Sequence, residues 1–599
     1  MRAIVVLFDT LNRRYLPPYG ATDVLAPQFE RLAEAAVTFD NCYAGSMPCM
    51  PARRELHTGR YNFLHRSWGP LEPFDDSVPE LLSRTGVHTH LVTDHQHYWE
   101  DGGATYHNRF DTYEFFRGQE GDRWKGQVAD PEMPEPAVAG RRASAMLRQH
   151  WVNRRHFLEP GQHPQTLTVD AGLEFLGTNA GQQDWFLQVE CFDPHEPFVA
   201  TEDHRARYAL DHEGPKYDWP GYRRVTEQPG DTLKVRDEYR ALLSMCDSSL
   251  GRVLDAMDAH ALWDDTLLIV GTDHGLLLGE HGWWGKNVQP WYDENIHTPL
   301  FVWDPRTGAR GERRTELVQT VDFGPTLLDF FGVPRPDDMQ GLPLTGPTTR
   351  EACLFGSFGA HVNVTDGRYV YLRASATPAN EPLFEHTLMP THMNNRFSAA
   401  ELRDAELVPP LPFTKGAPVL RMPGYVWGDP HAFGTLLFDL ETDPGQADPL
   451  VDDDLELAMA THLVELMRAA DAPASQFERL GLPADGPVTR EHLLARAQRE
   501  NALAVLEDLP PATEFSSAVL TPIGELAPAA REILVRHLPM LANADFAASI
   551  ATLSVWELAA TTPSLTARIL RSLDARLSQP RPERSPASPD PAAPSVLRR

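Results

Sequence analysis

The chain has 599 residues, too many for one hydrophobic core, so one large domain with smaller ones is expected. Apolar residues make up 42%, as in ordinary soluble globular proteins. A formal net charge of −30 repels phosphate backbones and anionic lipid, which argues against a nucleic-acid or membrane partner and obliges any anionic substrate to find a local positive site.

The opening "MRAIVVLFDT" is too short for a signal peptide and has no small-residue cleavage site. No apolar run approaches the ~20 residues of a membrane span. The five cysteines, Cys42, Cys49, Cys191, Cys246 and Cys353, fit neither a disulfide framework nor a zinc knuckle. A soluble, cytoplasmic protein in a reduced compartment is expected.

Residues 3–9, "AIVVLFD", are apolar and β-branched without alternation, as in a strand buried on both faces. "HTHLVTD" (88–94), "DWFLQVECFD" (184–193) and "DTLLIVGTD" (265–273) have the same texture. Between them lie helical patterns such as "APQFERLAEAA" and "SVPELLSRTG", the second with Ser77 as N-cap, Pro79 in its first turn and a stop at Gly86. Strands alternating with helices predict an α/β domain with a large, mostly parallel sheet flanked by helices. Four strands end in aspartate, which puts Asp9, Asp94, Asp193 and Asp273 in reach of one rim, where ligands of such sheets gather. Taken singly, each aspartate reads first as an ordinary turn former or helix cap.

Residues 199–233 read as a long surface insertion, with Tyr217, Trp219 and Tyr222 forming one wall of an entrance. From 349 the texture changes to short antiparallel strands, including "CLFGSFG", "DGRYVYLR" and "TLLFDLETDPGQ". The predicted organisation is an α/β catalytic domain over 1–348, a smaller α+β, antiparallel-sheet subdomain over 349–472, a helical extension over 473–577 and a disordered tail over 578–599. The helical extension is a candidate homo-oligomer or partner interface.

In "SMPCMPARRELHTGR", 46–60, Pro51 suits the first turn of a helix and Gly59 its C-terminal stop. Cys49 then stands just before a helix N-terminus, where a thiolate would be stabilised and reactive. A small buried cysteine is the plain alternative. "CMPARRELHTGR" resembles the signature of type I sulfatases in the alkaline-phosphatase-like superfamily, in Cys49, Pro51, Ala52, Arg53 and Thr58-Gly59-Arg60. "FDTLNRRYLPPYG" (8–20) resembles that family's first strand and metal loop. "FDPHEPF" (192–198) resembles its histidine segment, and "GTDHGLLLGEHGWWGK" (271–286) its second metal loop and following lysine. "VDFGPTLLDFFGVP" and "LFDLETDPGQ" continue the likeness in order to about residue 450.

The resemblance implies that Cys49 is converted to formylglycine by a formylglycine-generating enzyme before the chain folds. The hydrate of that aldehyde carries two hydroxyls on one carbon: one attacks, and the other loses its proton to expel the bound group. It also implies one divalent metal ion held by Asp9, Asp273, His274, Thr10 and the modified Cys49, with calcium foremost and manganese or magnesium as alternatives. Asp9 and Asp273 suit such a hard cation on chemistry alone. Arg53 is expected to hold the nucleophile or the ligands, Lys286 the ester oxygens, and His195 the ester oxygen or the leaving group. One of His95 and His97 is expected to enter the site, while His281 packs its loop.

Two positions depart from the family pattern: Thr10 replaces a second acidic residue, and His274 stands where many sulfatases carry asparagine and phosphonate or diester hydrolases tend to carry histidine. A hydrolase of small anionic sulfate esters with a narrow pocket is expected. A phosphonate monoester or phosphodiester hydrolase is the alternative, and a silent anion-binding member, which would have no need of an intact Cys-x-Pro-x-Arg, is the third reading.

Overall fold

The structure, a computed structural model, describes residues 1–578 apart from 134–144, 160, 209, 211–215, 347–349, 427, 539–540, 542–546 and 549. The tail expected over 578–599 lies outside the described residues beyond Ser578.

The main sheet is built from β1 (Arg2–Phe8), β2 (Val37–Tyr43), β3 (His88–Thr93), β4 (Thr112–Phe115), β5 (Trp185–Cys191) and β6 (Thr266–Gly271). A short hairpin, β7 (Leu277–Leu278) and β8 (Trp284–Gly285), follows β6, and β9 (His297–Trp303), β10 (Arg313–Arg314) and β11 (Val318–Gln319) complete the sheet. The order is β10-β2-β9-β6-β1-β5-β3-β4, with β11 also on β2. β6, β1, β5, β3 and β4 run parallel, and β9 is antiparallel to β2 and β6.

The unbroken apolar texture of β1 reflects burial on both faces. Ile4, Val6 and Phe8 enter one core layer with the long helix Pro229–Ala259; Ala3 and Val5 enter the opposite layer with Phe323 and Leu327. Val6 lies between Val189 and Val270 in register. Because β6, β1, β5 and β3 are parallel neighbours, their carboxyl ends share a rim, and Asp273, Asp9, Asp193 and Asp94 line it in that order.

Helix α1 (Pro27–Ala35) and, later, α2 (Cys49–Thr58) and α3 (Val78–Arg84) flank this sheet. Ser77 occupies the N-cap position of α3 but does not cap it; its hydroxyl meets His57 Nδ1 at 2.8 Å, and the helix stops at Arg84, before Gly86. The insertion expected to reach 233 ends earlier, because Pro229 opens the next helix.

Four antiparallel strands follow, β12 (Cys353–Gly356), β13 (Val362–Thr365), β14 (Tyr369–Arg373) and, after a three-stranded sheet of β15 (Phe384–Thr387), β16 (Glu406–Val408) and β17 (Val419–Pro423), β18 (Leu436–Asp439). The chain divides into two compact units, Met1–Leu506 with Thr561–Ser564, and Glu507–Ala560 with Leu565–Arg599. The helical extension therefore does not begin at 473: Phe477 and Leu480 are buried with Leu354, Tyr371 and Leu463, so the apolar residues after 472 complete the core of the first unit. The second unit is helical among its described residues and has its own core around Val519, Leu534, Val555, Leu558 and Leu570. Among the described residues no helix is long and apolar enough to cross a membrane.

Candidate active site

Helix α2 begins at Cys49 itself, with Pro48 as N-cap, and ends where Gly59 adopts φ +59°, a left-handed stop suited to glycine. Arg53 lies one turn on, with its guanidinium under the sheet rim. Its Nη1 donates to Cys49 O at 3.1 Å and to Asp273 Oδ2 at 2.6 Å. Nη2 is 2.8 Å from Asp9 Oδ2, and Nε donates to Glu190 Oε1 at 2.9 Å. One buried cation thus ties together carboxylates from β6, β1 and β5. Arg53 is 0% exposed, which excludes a surface role.

Thr10 adopts φ +64°, an unusual conformation for a β-branched residue. It is held by its own bonds: its N–H donates to Asp273 Oδ1 at 3.1 Å and its hydroxyl to Asp9 Oδ1 at 2.5 Å. Tyr239 fixes the loop from below, donating to Thr10 O at 3.0 Å and accepting from Asn12 N at 2.8 Å. Thr10 is thus a brace between the two aspartates.

Asp9, Cys49, Asp273 and His274 each offer one ligand atom, all within 4.8 Å of one another and buried. His274 Nδ1 pairs with Gly275 O at 2.8 Å, which leaves its Nε2 as the lone-pair nitrogen facing Cys49 Sγ at 3.4 Å. Burial lowers the His274 and His95 pKa values and keeps both rings neutral. Three buried carboxylates, Asp9, Asp273 and Glu190, then face two buried cations, Arg53 and Lys286. That excess of negative charge, and a donor set of carboxylates and one imidazole, fit a hard divalent cation.

Lys286 follows β8 and is 2% exposed. Its Nζ lies 3.3 Å from Cys49 Sγ, 3.3 Å from Thr10 Oγ1 and 3.4 Å from His274 Nε2. Burial alone would discharge it, but the carboxylates of Asp9, Glu196 and Asp273 raise its pKa and keep it cationic. Asp9 is the converse: against the cost of burial, Arg53, His95, His195 and Lys286 hold its carboxyl well below the usual range.

The unmodified cysteine fits the plainer of its two readings, a small buried residue. Burial, then Asp9, push the Cys49 thiol well above its ordinary value, so it is not the reactive thiolate that its place at a helix N-terminus suggests. Desolvation outweighs the helix end.

The two histidines of "DHQH" separate. His95 is fully buried and its Nε2 lies 3.2 Å from Asp9 Oδ2. His97 turns to Glu100, with Nδ1 2.8 Å from Oε2, and its ring packs edge-on to Trp68. His195 pairs through Nδ1 with Glu196 O at 2.6 Å and packs on Phe192. His281 stacks on Tyr292 at 3.8 Å and packs its loop as expected. Tyr222 of the insertion lies against Gly285, Trp219 against His150, and Tyr217 bonds Asp231.

Two of the four rim aspartates stay outside the ligand cluster. Gln119 Nε2 bridges Asp94 Oδ2 at 2.8 Å and Asp193 Oδ1 at 3.2 Å, and burial raises Asp94 to about 7 and Asp193 well above its ordinary value. Glu190 and Tyr239 were not picked out from the sequence. Glu190 left a signal: a carboxylate inside the doubly buried strand "WFLQVEC" has no reason to be there unless something charged meets it.

Residues 2–333, more than half of the chain, match the Sulfatase family model. The chain belongs to the sulfatase family. An arylsulfatase of Clostridium perfringens is 23% identical over 383 residues, covering 57% of this chain and 77% of the relative. A protein solved in complex with its substrate D-glucosamine-2-N,6-O-disulfate shares the fold at a TM-score of 0.55 and 16% identity, over 79% of this sulfatase-family chain and 99% of its own. The phosphonate monoester hydrolase of Agrobacterium radiobacter does so at 0.54 and 17%, over 82% and 96%. This sulfatase-family chain therefore shares its overall fold with both proteins.

Proposed function

We propose that the enzyme hydrolyses small sulfate monoesters, with a formylglycine derived from Cys49 as nucleophile and one divalent cation beside it. The convergence of Cys49 with Asp9, Asp273, His274 and Lys286 carries this reading. Burial and Asp9 push the thiol well above its ordinary pKa, which makes it a poor nucleophile but a sensible precursor. A hydrated formylglycine supplies an attacking hydroxyl and a second hydroxyl whose deprotonation releases sulfate, and a bound divalent cation would lower the pKa of the first and neutralise ester oxygens.

The other roles belong to side chains already present. Asp9, Asp273 and His274 would hold the cation, while Thr10 keeps the two carboxylates apart and aimed. Arg53 anchors α2 to both aspartates and so fixes residue 49 relative to them. Lys286, kept cationic, meets the non-bridging oxygens and provides the local positive charge that the acidic chain otherwise lacks. His95 orients Asp9, and His195 serves the leaving group. His97 is assigned to the wall rather than the reacting atoms. A formylglycine-generating enzyme is the maturation partner.

A second reading rests on Thr10 and His274, which reduce the anionic ligands to two, and on the fold shared with a phosphonate monoester hydrolase. Enzyme produced together with a formylglycine-generating enzyme, assayed on matched aryl sulfate, phosphodiester and phosphonate monoester substrates, decides between them. The sulfate is expected to have the highest kcat/KM; a higher value for the diester or phosphonate promotes the second reading.

A further inference from the structure

We infer that Glu196, steadied by Tyr222, is a positioning residue that makes His195 the proton donor to the departing oxygen. The inference rests on the proposed ester hydrolysis and names a partner that the reaction as described lacks. Glu196 is 1% exposed. Its Oε1 accepts the Tyr222 hydroxyl, while its Oε2 is buried without a hydrogen-bond partner among the described residues. That oxygen lies 3.4 Å from His195 Nδ1. An unmatched buried carboxylate oxygen is costly and calls for a cation.

The geometry says which state of His195 answers that call. Nδ1 donates to the Glu196 carbonyl at 2.6 Å, so Nδ1 keeps its proton in both charge states and Nε2 is the nitrogen that gains or loses one. The ring is clamped on its face by Phe192, with centroids 4.4 Å apart. Burial prevails and lowers the His195 pKa to about 4, and Glu196 is the leading group opposing that loss of proton affinity. Tyr222 is in turn seated on Gly285, where φ is +80° and a Cβ would meet the tyrosine ring at 2.2 Å. The residue after it is Lys286, so one carboxylate is locked between the two groups that face the ester.

In the step assigned, the attacking hydroxyl oxygen bonds to sulfur as the bond from sulfur to the organic oxygen breaks, and the electron pair of that broken bond goes to the organic oxygen. The proton on His195 Nε2 transfers to it, so an alcohol leaves and the imidazole becomes neutral. The attacking hydroxyl gives its proton to water, and water later reprotonates Nε2. Without Glu196 the donor is missing, and only esters whose leaving group is stable as an anion react well.

The test is a leaving-group series, from 4-nitrophenyl sulfate to phenyl sulfate to an alkyl sulfate, on the full-length enzyme. Glu196→Gln keeps the acceptor for Tyr222 and removes the charge; Tyr222→Phe keeps the charge and loosens it. We expect Glu196→Gln to lower kcat for the phenyl and alkyl esters at least about tenfold more than for the nitrophenyl ester, and Tyr222→Phe to do the same to a smaller degree. A uniform loss across the series, or none, overturns the assignment, since a merely structural role does not depend on the leaving group. If the wild type hydrolyses no sulfate, the functional reading fails instead, and the same variants are read on aryl phosphodiesters under the same criterion. Inactivity on both series overturns both.

Discussion

Lys286 Nζ stands 3.3 Å from Cys49 Sγ, although 236 residues of chain separate the two. A cation that close, with His274 Nε2 within 3.4 Å of both the sulfur and the ammonium, is an arrangement for handling an anion at residue 49. The first expectation follows from it. Peptide mapping of enzyme matured with a formylglycine-generating enzyme should show residue 49 about 18 Da lighter than cysteine, an oxidation that replaces SH by an aldehyde. Cys49→Ala should fold normally and turn over nothing; full activity in that variant removes the central claim.

Arg53 neutralises carboxylates from three strands. Removing one partner of a buried ionic cluster leaves charge uncompensated, at a cost of roughly 3–5 kcal/mol. Arg53→Ala should lose about that much in denaturant unfolding with a chelator present. Arg53→Lys should recover part of the stability but little activity, because an ammonium cannot reproduce the three-way fork. Wild-type stability in Arg53→Ala would contradict the network.

Tyr239 is the only part of this loop support supplied by the long helix Pro229–Ala259 among the bonds described, through the pair to Asn12 N and Thr10 O. Tyr239→Phe keeps the ring and leaves two buried backbone groups unmatched, so a loss of ~1–3 kcal/mol is expected. Because the freed loop carries Asp9 and Thr10, kcat should also fall while KM changes less. Unchanged stability and unchanged kcat together would show that the loop holds itself.

Glu55 sits inside α2, accepting from Ser46 N and from Thr320 Oγ1, and burial raises its pKa to about 7. The unfolded chain ionises it near ~4.3, so the native state binds more protons between these values and stability falls as pH rises through that window. Above about 7 the native group is ionised too and the slope ends. Glu55→Gln should flatten the wild-type decline between about pH 4.5 and 7, a difference on the order of 3 kcal/mol at most. Parallel stability profiles for the two proteins would refute it.

The carboxylate excess around Arg53 predicts that a divalent cation stabilises the fold. At a hundredfold excess over its Kd the gain should be ~2.7 kcal/mol, read as a rise in Tm on adding calcium, manganese or magnesium to chelated protein. Asp273→Asn should remove most of that rise. A Tm insensitive to all three metals would overturn the ligand assignment.

Some of this is legible in the chain by itself. Unbroken apolar strands, each followed by an aspartate, determine a parallel sheet with acids at one rim, because a strand buried on both faces has no polar alternation to hide. The motif around Cys49, the two aspartate-bearing loops at Asp9 and Asp273, and Lys286 can be named in order without coordinates. Other decisions belong to the tertiary structure. His95, not its neighbour two residues on, meets Asp9; Asp94 and Asp193 pair with Gln119 instead of joining the cluster around Cys49; residues up to Leu506 complete the first core; and burial pushes the Cys49 thiol well above its ordinary pKa. None of these follows from spacing. Each depends on which groups from distant strands share a space without water, and in such a space the cost of desolvation, set by three-dimensional neighbours, decides what is charged, what pairs and what is left to react.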